Sequence, residues 1–80
     1  MPESAVALVT GGSRGIGRAI CVRLASMGFL VGINYVANPA AAEETERLVK
    51  EMGGQSFLSR FDVADAGEVQ DAIKLLLEEH

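Results

Sequence analysis

The chain has 80 residues and a net charge of −4, from seven Lys and Arg against eleven Asp and Glu. This length suits one small domain and excludes a two-domain enzyme, and the missing basic surface argues against nucleic acid as a partner. One cysteine and one histidine exclude an internal disulfide and a Cys/His zinc site. Because no apolar run approaches the ~18 residues of a membrane span, we expect a reduced, cytoplasmic protein with no metal and no membrane partner.

The first predicted element is a strand buried on both faces, because residues 5–9 form a continuous run of small or β-branched apolar side chains. From Gly15 the apolar residues recur at helical spacing until Gly28, which supplies a left-handed stop. A helix therefore follows the first strand directly. One face of this helix is predicted to hold Ile16, Ile20, Leu24 and Met27.

A second strand and helix are predicted next. Residues 29–35 form another apolar strand, and Asn38 then precedes Pro39 in the order typical of an N-cap and the first helical position. The helix that begins there ends at Gly53, which again supplies a left-handed stop.

The third strand, residues 55–61, is half polar in its alternation, which is typical of a strand near a sheet edge. A third helix follows from Asp65, which forms a capping box with Glu68. Six elements therefore alternate as β-α-β-α-β-α, and such alternation predicts an α/β fold with a parallel sheet and right-handed crossovers.

A glycine-rich turn lies where the first strand ends and the first helix begins. Gly11 permits the tight turn, Gly15 lets backbone N–H groups approach a pyrophosphate, and Gly17 lets the helix lie close to the strand. This placement favours a Rossmann-type, doubly wound sheet with strand order 3-2-1. The candidate residues for the pyrophosphate are Gly11, Gly12, Ser13, Arg14, Gly15, Ile16 and Gly17.

Two other interpretations of this turn stay open. The spacing Gly-x3-Gly-x-Gly differs from the general Gly-x-Gly-x2-Gly fingerprint, so the turn could serve only to pack helix on strand. A nucleoside-triphosphate loop has the same spacing between Gly12 and Gly17, but it needs Lys and then Ser or Thr. Arg18 and Ala19 stand at those positions, so no hydroxyl is available for a metal.

At these residues the sequence resembles the short-chain dehydrogenase/reductase family, whose nucleotide turn reads Thr-Gly-x3-Gly-x-Gly. The segment Gly-Ser-Arg-Gly-Ile-Gly-Arg-Ala-Ile, residues 12–20, is most similar to the 3-oxoacyl-acyl-carrier-protein reductase branch. The resemblance extends to Asn34 and Tyr35 after the second strand and to Asp62 and Val63 after the third. It implies that Asp62 and Val63 border the adenine, although Asp62 could also be a simple turn acid.

Cofactor preference can be predicted from the region after the second strand. Folds that bind NAD place an acid about 20 residues past the turn, where it accepts from the ribose 2′-hydroxyl. Tyr35 stands there instead, and no acid occurs from Asn34 to Ala42. Arg14 could pair with a 2′-phosphate, so we predict NADP(H), although Arg14 could also be a solvated cation at the helix start.

The resemblance implies an NADPH-dependent reductase that acts on a 3-oxoacyl thioester or another small or carrier-bound carbonyl, works in fatty acid biosynthesis and assembles as a homo-oligomer, a tetramer. The catalytic segments of the family are Asn-Asn-Ala-Gly, a serine and a Tyr-x3-Lys pair, and none of them has a counterpart here. Tyr35 cannot belong to a Tyr-x3-Lys pair, because Pro39 stands four residues after it. Cys21 is expected in the core, and His80 has no partnered acid.

A bare apolar edge on the first strand suggests that residues 1–80 are the N-terminal part of one nucleotide-binding domain without an internal boundary. A non-catalytic dinucleotide-binding module is the alternative.

Overall fold

The computed structural model describes residues 5–12 and 15–79, with the side chain of residue 79 outside that description. Strands and helices alternate along the chain as the sequence predicts. The elements are β1 (Val6–Val9), α1 (Gly15–Ser26), β2 (Leu30–Tyr35), α2 (Pro39–Glu51), β3 (Gln55–Arg60) and α3 (Ala66–Glu79).

The three strands form one parallel sheet in the order β1-β2-β3, which confirms the predicted strand order 3-2-1. Val6 pairs with Leu30, and Leu30 pairs in turn with Gln55, so the three strands begin in register. Each strand is one residue shorter than predicted at one end. The residues concerned still accept or donate a flanking backbone hydrogen bond, as Ala5 and Phe61 do. The architecture is therefore an α/β, Rossmann-like unit.

The core lies between the sheet and the two helices α1 and α2. Val31 and Ile33 of β2 are fully buried there, because β2 is the middle strand and its neighbours flank it on both sides. The buried cluster consists of Val9, Cys21, Ala25, Val31, Ile33, Ala42 and Val49. Small side chains dominate the helical contribution, so both helices approach the sheet closely.

Only part of the apolar face predicted for α1 packs on the core, where Leu24 is half-buried. Ile16 is 82% exposed, and Ile20 and Met27 are about half exposed, at 44% and 46%. Cys21 and Ala25 face the core instead. The helical spacing predicted that the larger residues of α1 would pack on the sheet, whereas the close approach of the helix to the sheet requires small residues at the contact.

Arg18 joins α1 to α2. Its guanidinium donates to the Thr45 hydroxyl over 2.9 Å and to the Ala41 carbonyl over 3.0 Å. Thr45 is fully buried, so this polar contact lies inside the helix pair rather than at its rim. The bond fixes the first turn of α1 relative to α2.

Candidate functional site

The turn between β1 and α1 needs glycine at two positions for conformational reasons. Gly11 has φ +66° and Gly15 has φ +64°, both in the left-handed region that L side chains rarely adopt. A Cβ built on Gly15 meets no described atom within 4 Å, so this part of the turn faces open space. The predicted tight turn is therefore present, with an accessible surface at the start of α1.

Gly17 is needed for a steric reason. A Cβ at this position would lie 2.1 Å from the carbonyl oxygen of Gly11, which is far inside any allowed contact. The first turn of α1 thus rests directly on the strand-to-helix turn. This close approach brings the N-terminal N–H groups of the helix, which lack partners within the helix itself, to the carboxyl end of β1.

Gly12 points inward rather than toward the accessible surface. It is buried, and an added Cβ would lie 2.8 Å from the Cys21 Sγ and 3.3 Å from Ile33. Its N–H donates to the Asn34 carbonyl over 3.1 Å. The side of residue 12 where a side chain would project therefore belongs to the core beneath the turn.

The remaining candidates in the turn have different positions. Ser13 and Arg14 lie outside the described residues, so their predicted contacts with phosphate stay predictions. Ile16 is 82% exposed on the first turn of α1. Arg18, which stands where a triphosphate loop would have its lysine, is instead held by Thr45 and Ala41 of α2. This arrangement disfavours the triphosphate-loop interpretation.

Asn34, the residue before the end of β2, is a polar residue that the sequence analysis did not assign to the site. Only 2% of its surface is exposed. Its Oδ1 accepts from the Gly11 N–H over 3.1 Å, and its Nδ2 donates to the carbonyls of Ser59 and Phe61 over 3.2 and 2.9 Å. The available signal was an amide inside an otherwise apolar strand, since a buried polar side chain must find partners.

The residues predicted to border an adenine lie at the ends of β2 and β3. Tyr35 is half-buried and packs against the core cluster, and its carbonyl accepts from the Phe61 N–H over 3.1 Å. Asp62 follows at once, and its Oδ1 accepts from the Ala64 N–H over 2.9 Å. Val63 is 55% exposed. Asp62 therefore has the turn role that the sequence left open, at the same edge of the sheet as the glycine turn.

Cys21 is the only titratable thiol of the chain, and it lies beneath the turn. It is fully buried, as expected for a core residue, and its Sγ is 3.9 Å from the Gly12 carbonyl. Burial raises the pKa of the thiol to about 11, with the backbone contact lowering it slightly. A thiol that stays protonated near neutral pH is a poor nucleophile.

Within residues 5–12 and 15–79, the chain has neither a metal-binding cluster nor a membrane-spanning helix. Among residues 5–12 and 15–79, no three His, Cys, Asp or Glu side chains are grouped closely enough to hold a metal ion. In that same part of the chain, no helix combines the length and the hydropathy needed to cross a membrane.

The fold and the turn define a Rossmann-like strand-turn-helix unit of the dinucleotide-binding type. The family model described as short chain dehydrogenase matches residues 5–80. The chain belongs to the short-chain dehydrogenase/reductase family, a family of oxidoreductases, and this confirms the resemblance inferred from the sequence.

Two curated relatives are similar to most of this chain. The short-chain dehydrogenase/reductase homolog YusS of Bacillus subtilis is 41% identical over 75 residues, which cover 94% of this chain and 69% of YusS. The 3-oxoacyl-[acyl-carrier-protein] reductase FabG of Staphylococcus aureus is 47% identical over 68 residues, which cover 85% of this chain and 28% of FabG. The chain thus spans less than a third of the length of FabG.

A solved structure adds a ligand-bound relative. The landomycin C-6 ketoreductase LanV, crystallised with NADP and rabelomycin, aligns with a TM-score of 0.80 and 37% identity. The alignment covers 88% of this chain and 29% of LanV. The shared fold therefore includes nearly all of the elements described above.

Proposed function

We propose that the β1–α1 turn binds a nicotinamide dinucleotide and that the chain supplies the dinucleotide-binding part of a carbonyl reductase. One observation carries the proposal: Gly11 and Gly15 have positive φ while Gly17 packs on Gly11, at the carboxyl end of a parallel strand. Helix N-termini at such a point favour anions, because unpaired N–H groups and the helix dipole act together. Membership of an oxidoreductase family supports the same assignment.

The residues present fit a dinucleotide. Gly15 presents no side chain toward the open space before α1, so the pyrophosphate can approach the first N–H groups of the helix. Arg14 adds a cation, and Ser13 adds a hydroxyl donor. The adenosine half would lie toward Tyr35, Asp62 and Val63, whose strands end at the same edge of the sheet as the turn.

The preference is for NADP(H) over NAD(H). After β2 the chain continues through exposed Val36 and Ala37 to Asn38, whose side chain caps α2 by accepting from the Ala41 N–H over 3.1 Å. No carboxylate in this segment would repel a 2′-phosphate. The NADP bound to LanV supports the same preference.

The reaction we propose is carbonyl reduction, with 3-oxoacyl-acyl-carrier-protein as the substrate and a homo-oligomer as the working form. The reduced dinucleotide supplies a hydride. The role of this chain is to hold the dinucleotide in a fixed orientation, while the proton donor comes from another part of the protein. Tyr35, the single tyrosine, packs against the core instead of facing a substrate. The identity to FabG supports this substrate, and LanV supports carbonyl reduction more broadly.

A dinucleotide-binding module without catalysis is the second candidate. It is favoured by the position of Tyr35, which is half-buried on the proposed adenine side, because proton donation to a carbonyl needs an acid beside the reacting carbon. Reduction of an acetoacetyl thioester with NADPH by the full-length protein that contains this chain separates the two. Turnover supports the reductase, and binding of NADPH without turnover supports the module.

Binding at the turn is tested with Gly15→Asp and the matched control Gly53→Asp. Both glycines have positive φ, a conformation that Asp tolerates, and neither would place a Cβ within 4 Å of a described atom. Only residue 15 adds a negative charge beside the pyrophosphate. We expect NADPH affinity to fall by about tenfold or more in Gly15→Asp, by loss of at least one charge-assisted contact, and to stay within about threefold in Gly53→Asp.

Calorimetric titration with NADPH gives both affinities. The control has an acid near the end of α2, where the helix dipole opposes it, so any general loss of stability should weaken Gly53→Asp first. Equal affinities for the two variants would exclude the turn as the binding site.

The cofactor preference is tested with Arg14→Ala, with Arg23→Ala at the other end of α1 as the matched change of charge. Loss of a charge-assisted bond to the 2′-phosphate should weaken NADPH binding by about tenfold and leave NADH binding unchanged. Titration of both proteins with both dinucleotides measures this ratio. A similar loss for NADPH and NADH would assign Arg14 to the shared pyrophosphate instead.

A further inference from the structure

The side-chain amide of Asn34 is hydrogen-bonded to neighbouring residues through both its oxygen and its nitrogen. The side chain is almost fully enclosed, with 2% of its surface exposed. Its oxygen accepts one N–H, from Gly11, and its nitrogen donates to two carbonyls, those of Ser59 and Phe61. These three partners belong to the turn after β1 and to the end of β3, so one side chain of β2 connects both.

The contact with the turn involves the main chain of Asn34 as well. The Gly12 N–H donates to the Asn34 carbonyl over 3.1 Å, while the Gly11 N–H donates to its Oδ1 over the same distance. Two successive N–H groups of the turn are therefore directed into the protein. Among the described residues of this region, 11, 12 and 15–18, the donors left for an anion are those of the first turn of α1, which have no acceptor within the helix.

The chemistry at residue 34 requires an amide. A carboxylate could accept from Gly11 but could not donate to the Ser59 and Phe61 carbonyls, and its charge would face two carbonyl oxygens. An aliphatic side chain of the same size would remove the hydrogen bonds to the Gly11 N–H and to the Ser59 and Phe61 carbonyls from a buried place. The Phe61 carbonyl is the link to the adenine side, because Asp62 is the next residue.

We infer that Asn34 is a positioning residue for the dinucleotide, which fixes the distance between the pyrophosphate-binding turn at Gly11 and the adenine-side strand end at Phe61. This inference rests on the proposed function, because it assumes that the turn and Asp62 contact the same ligand. The residue acts through Gly11 and Phe61 and needs no contact with the dinucleotide itself. Its effect should therefore appear for a ligand that spans both places and be small for a ligand that occupies one.

The test compares Asn34→Asp with Val31→Ala, a change at a fully buried residue of the same strand whose register partners are Ala7 and Ser56. NADPH is the spanning ligand, and adenosine, which lacks the 2′-phosphate assigned to Arg14, is the probe of the adenine side alone. For Asn34→Asp we expect NADPH affinity to fall by about tenfold and adenosine affinity to change by less than about threefold. Val31→Ala should lower the melting temperature without altering the ratio of the two affinities.

Two results would overturn the inference: an unchanged NADPH affinity in Asn34→Asp, or the same change of ratio in Val31→Ala. Hydrogen exchange of the unchanged protein provides a measurement that does not depend on a variant folding. The Gly11 and Gly12 amides should be protected, and fast exchange at both would contradict the contacts with Asn34. If the unchanged protein binds no dinucleotide, the proposed function fails together with this inference, whereas NADPH binding that ignores Asn34→Asp removes the inference alone.

Discussion

Helices α2 and α3 are formed by similar local sequence features but differ in what they contact. In α2 the Asn38 side chain accepts from the Ala41 N–H over 3.1 Å, and in α3 the Asp65 side chain accepts from the Glu68 N–H over 3.0 Å. The two helices have 13 and 14 residues, so neither length nor N-cap distinguishes them. Both sequences predict an amphipathic helix.

Their burial is different. Ala42, Thr45 and Val49 of α2 are buried against the sheet and α1. On α3 the apolar side chains Ile73, Leu75 and Leu77 are 43%, 54% and 76% exposed. Three other apolar residues of α3 are only half-buried: Val69, Ala72 and Leu76. Residues of α3 and β3 line a common groove, and Glu68 of α3 forms an ion pair with Arg60 of β3 at 3.6 Å. Capping and periodicity thus determine that a helix forms, while an available apolar surface determines how much it stabilises the fold.

The largest expected difference concerns apolar truncation. Val49→Ala removes a fully buried side chain from the core and should lower the free energy of unfolding by about 2 kcal/mol. Ile73→Ala removes more atoms, but from a position that is 43% exposed, and should cost less than about 1 kcal/mol. Urea unfolding followed by circular dichroism measures both. A larger loss for Ile73→Ala would mean that α3 buries this side chain in solution.

An intermediate effect is expected from removing the caps. Asn38→Ala and Asp65→Ala each delete one side-chain acceptor at a helix start, which is worth about 1 kcal/mol. Because α2 is part of the core, Asn38→Ala should lower the stability of the whole domain. Asp65→Ala should instead increase hydrogen exchange within α3 and leave the exchange of β2 unchanged. Equal exchange in both regions after Asp65→Ala would show that α3 unfolds only with the core.

The smallest effect concerns the buried thiol of Cys21 in α1, and it is absent at neutral pH. Burial raises the pKa of Cys21 from 9.0 to about 11. The unfolded chain therefore loses this proton at lower pH than the folded protein, so the stability supplied by the protonated thiol is complete below about pH 9 and declines toward pH 11. Cys21→Ala should remove this part of the alkaline slope in urea unfolding. Parallel pH profiles for the two proteins would contradict the assignment, because the two proteins differ only at residue 21.

The sequence predicts most of the fold because its signals are local. Proline after Asn38, glycine after a helix and continuous apolar strands each act over a few residues, and all three gave correct elements. The parallel order of the strands followed from their alternation with helices. The glycine turn was also predictable, since the positive φ at Gly11 and the contact of Gly17 are properties that only glycine satisfies.

The parts that were not predicted depend on contacts between distant segments. Asn34 reaches residues 23 positions before it and 27 after it, a relation that spacing cannot encode. For α1 the core positions of Cys21 and Leu24 were predicted correctly, whereas Ile16 and Ile20 are exposed. The helix packs largely through the small residues Cys21 and Ala25, which the spacing of large residues cannot show. The exposure of α3 depends on which surfaces meet it, so neither its caps nor its pattern could reveal it.

Gly12 and Cys21 lie so close together that the size of the side chain at one position limits the size at the other. With 2.8 Å from an added Cβ on residue 12 to the Cys21 Sγ, and 3.2 Å to the Val9 carbonyl, the space under the turn holds one of these side chains and not both. Substitutions at the two sites should therefore be epistatic: Gly12→Ala alone is disfavoured, and Cys21→Gly should relieve it. Homologues that carry alanine at position 12 should have a smaller residue at position 21, which makes the pair a covarying unit beneath the glycine turn.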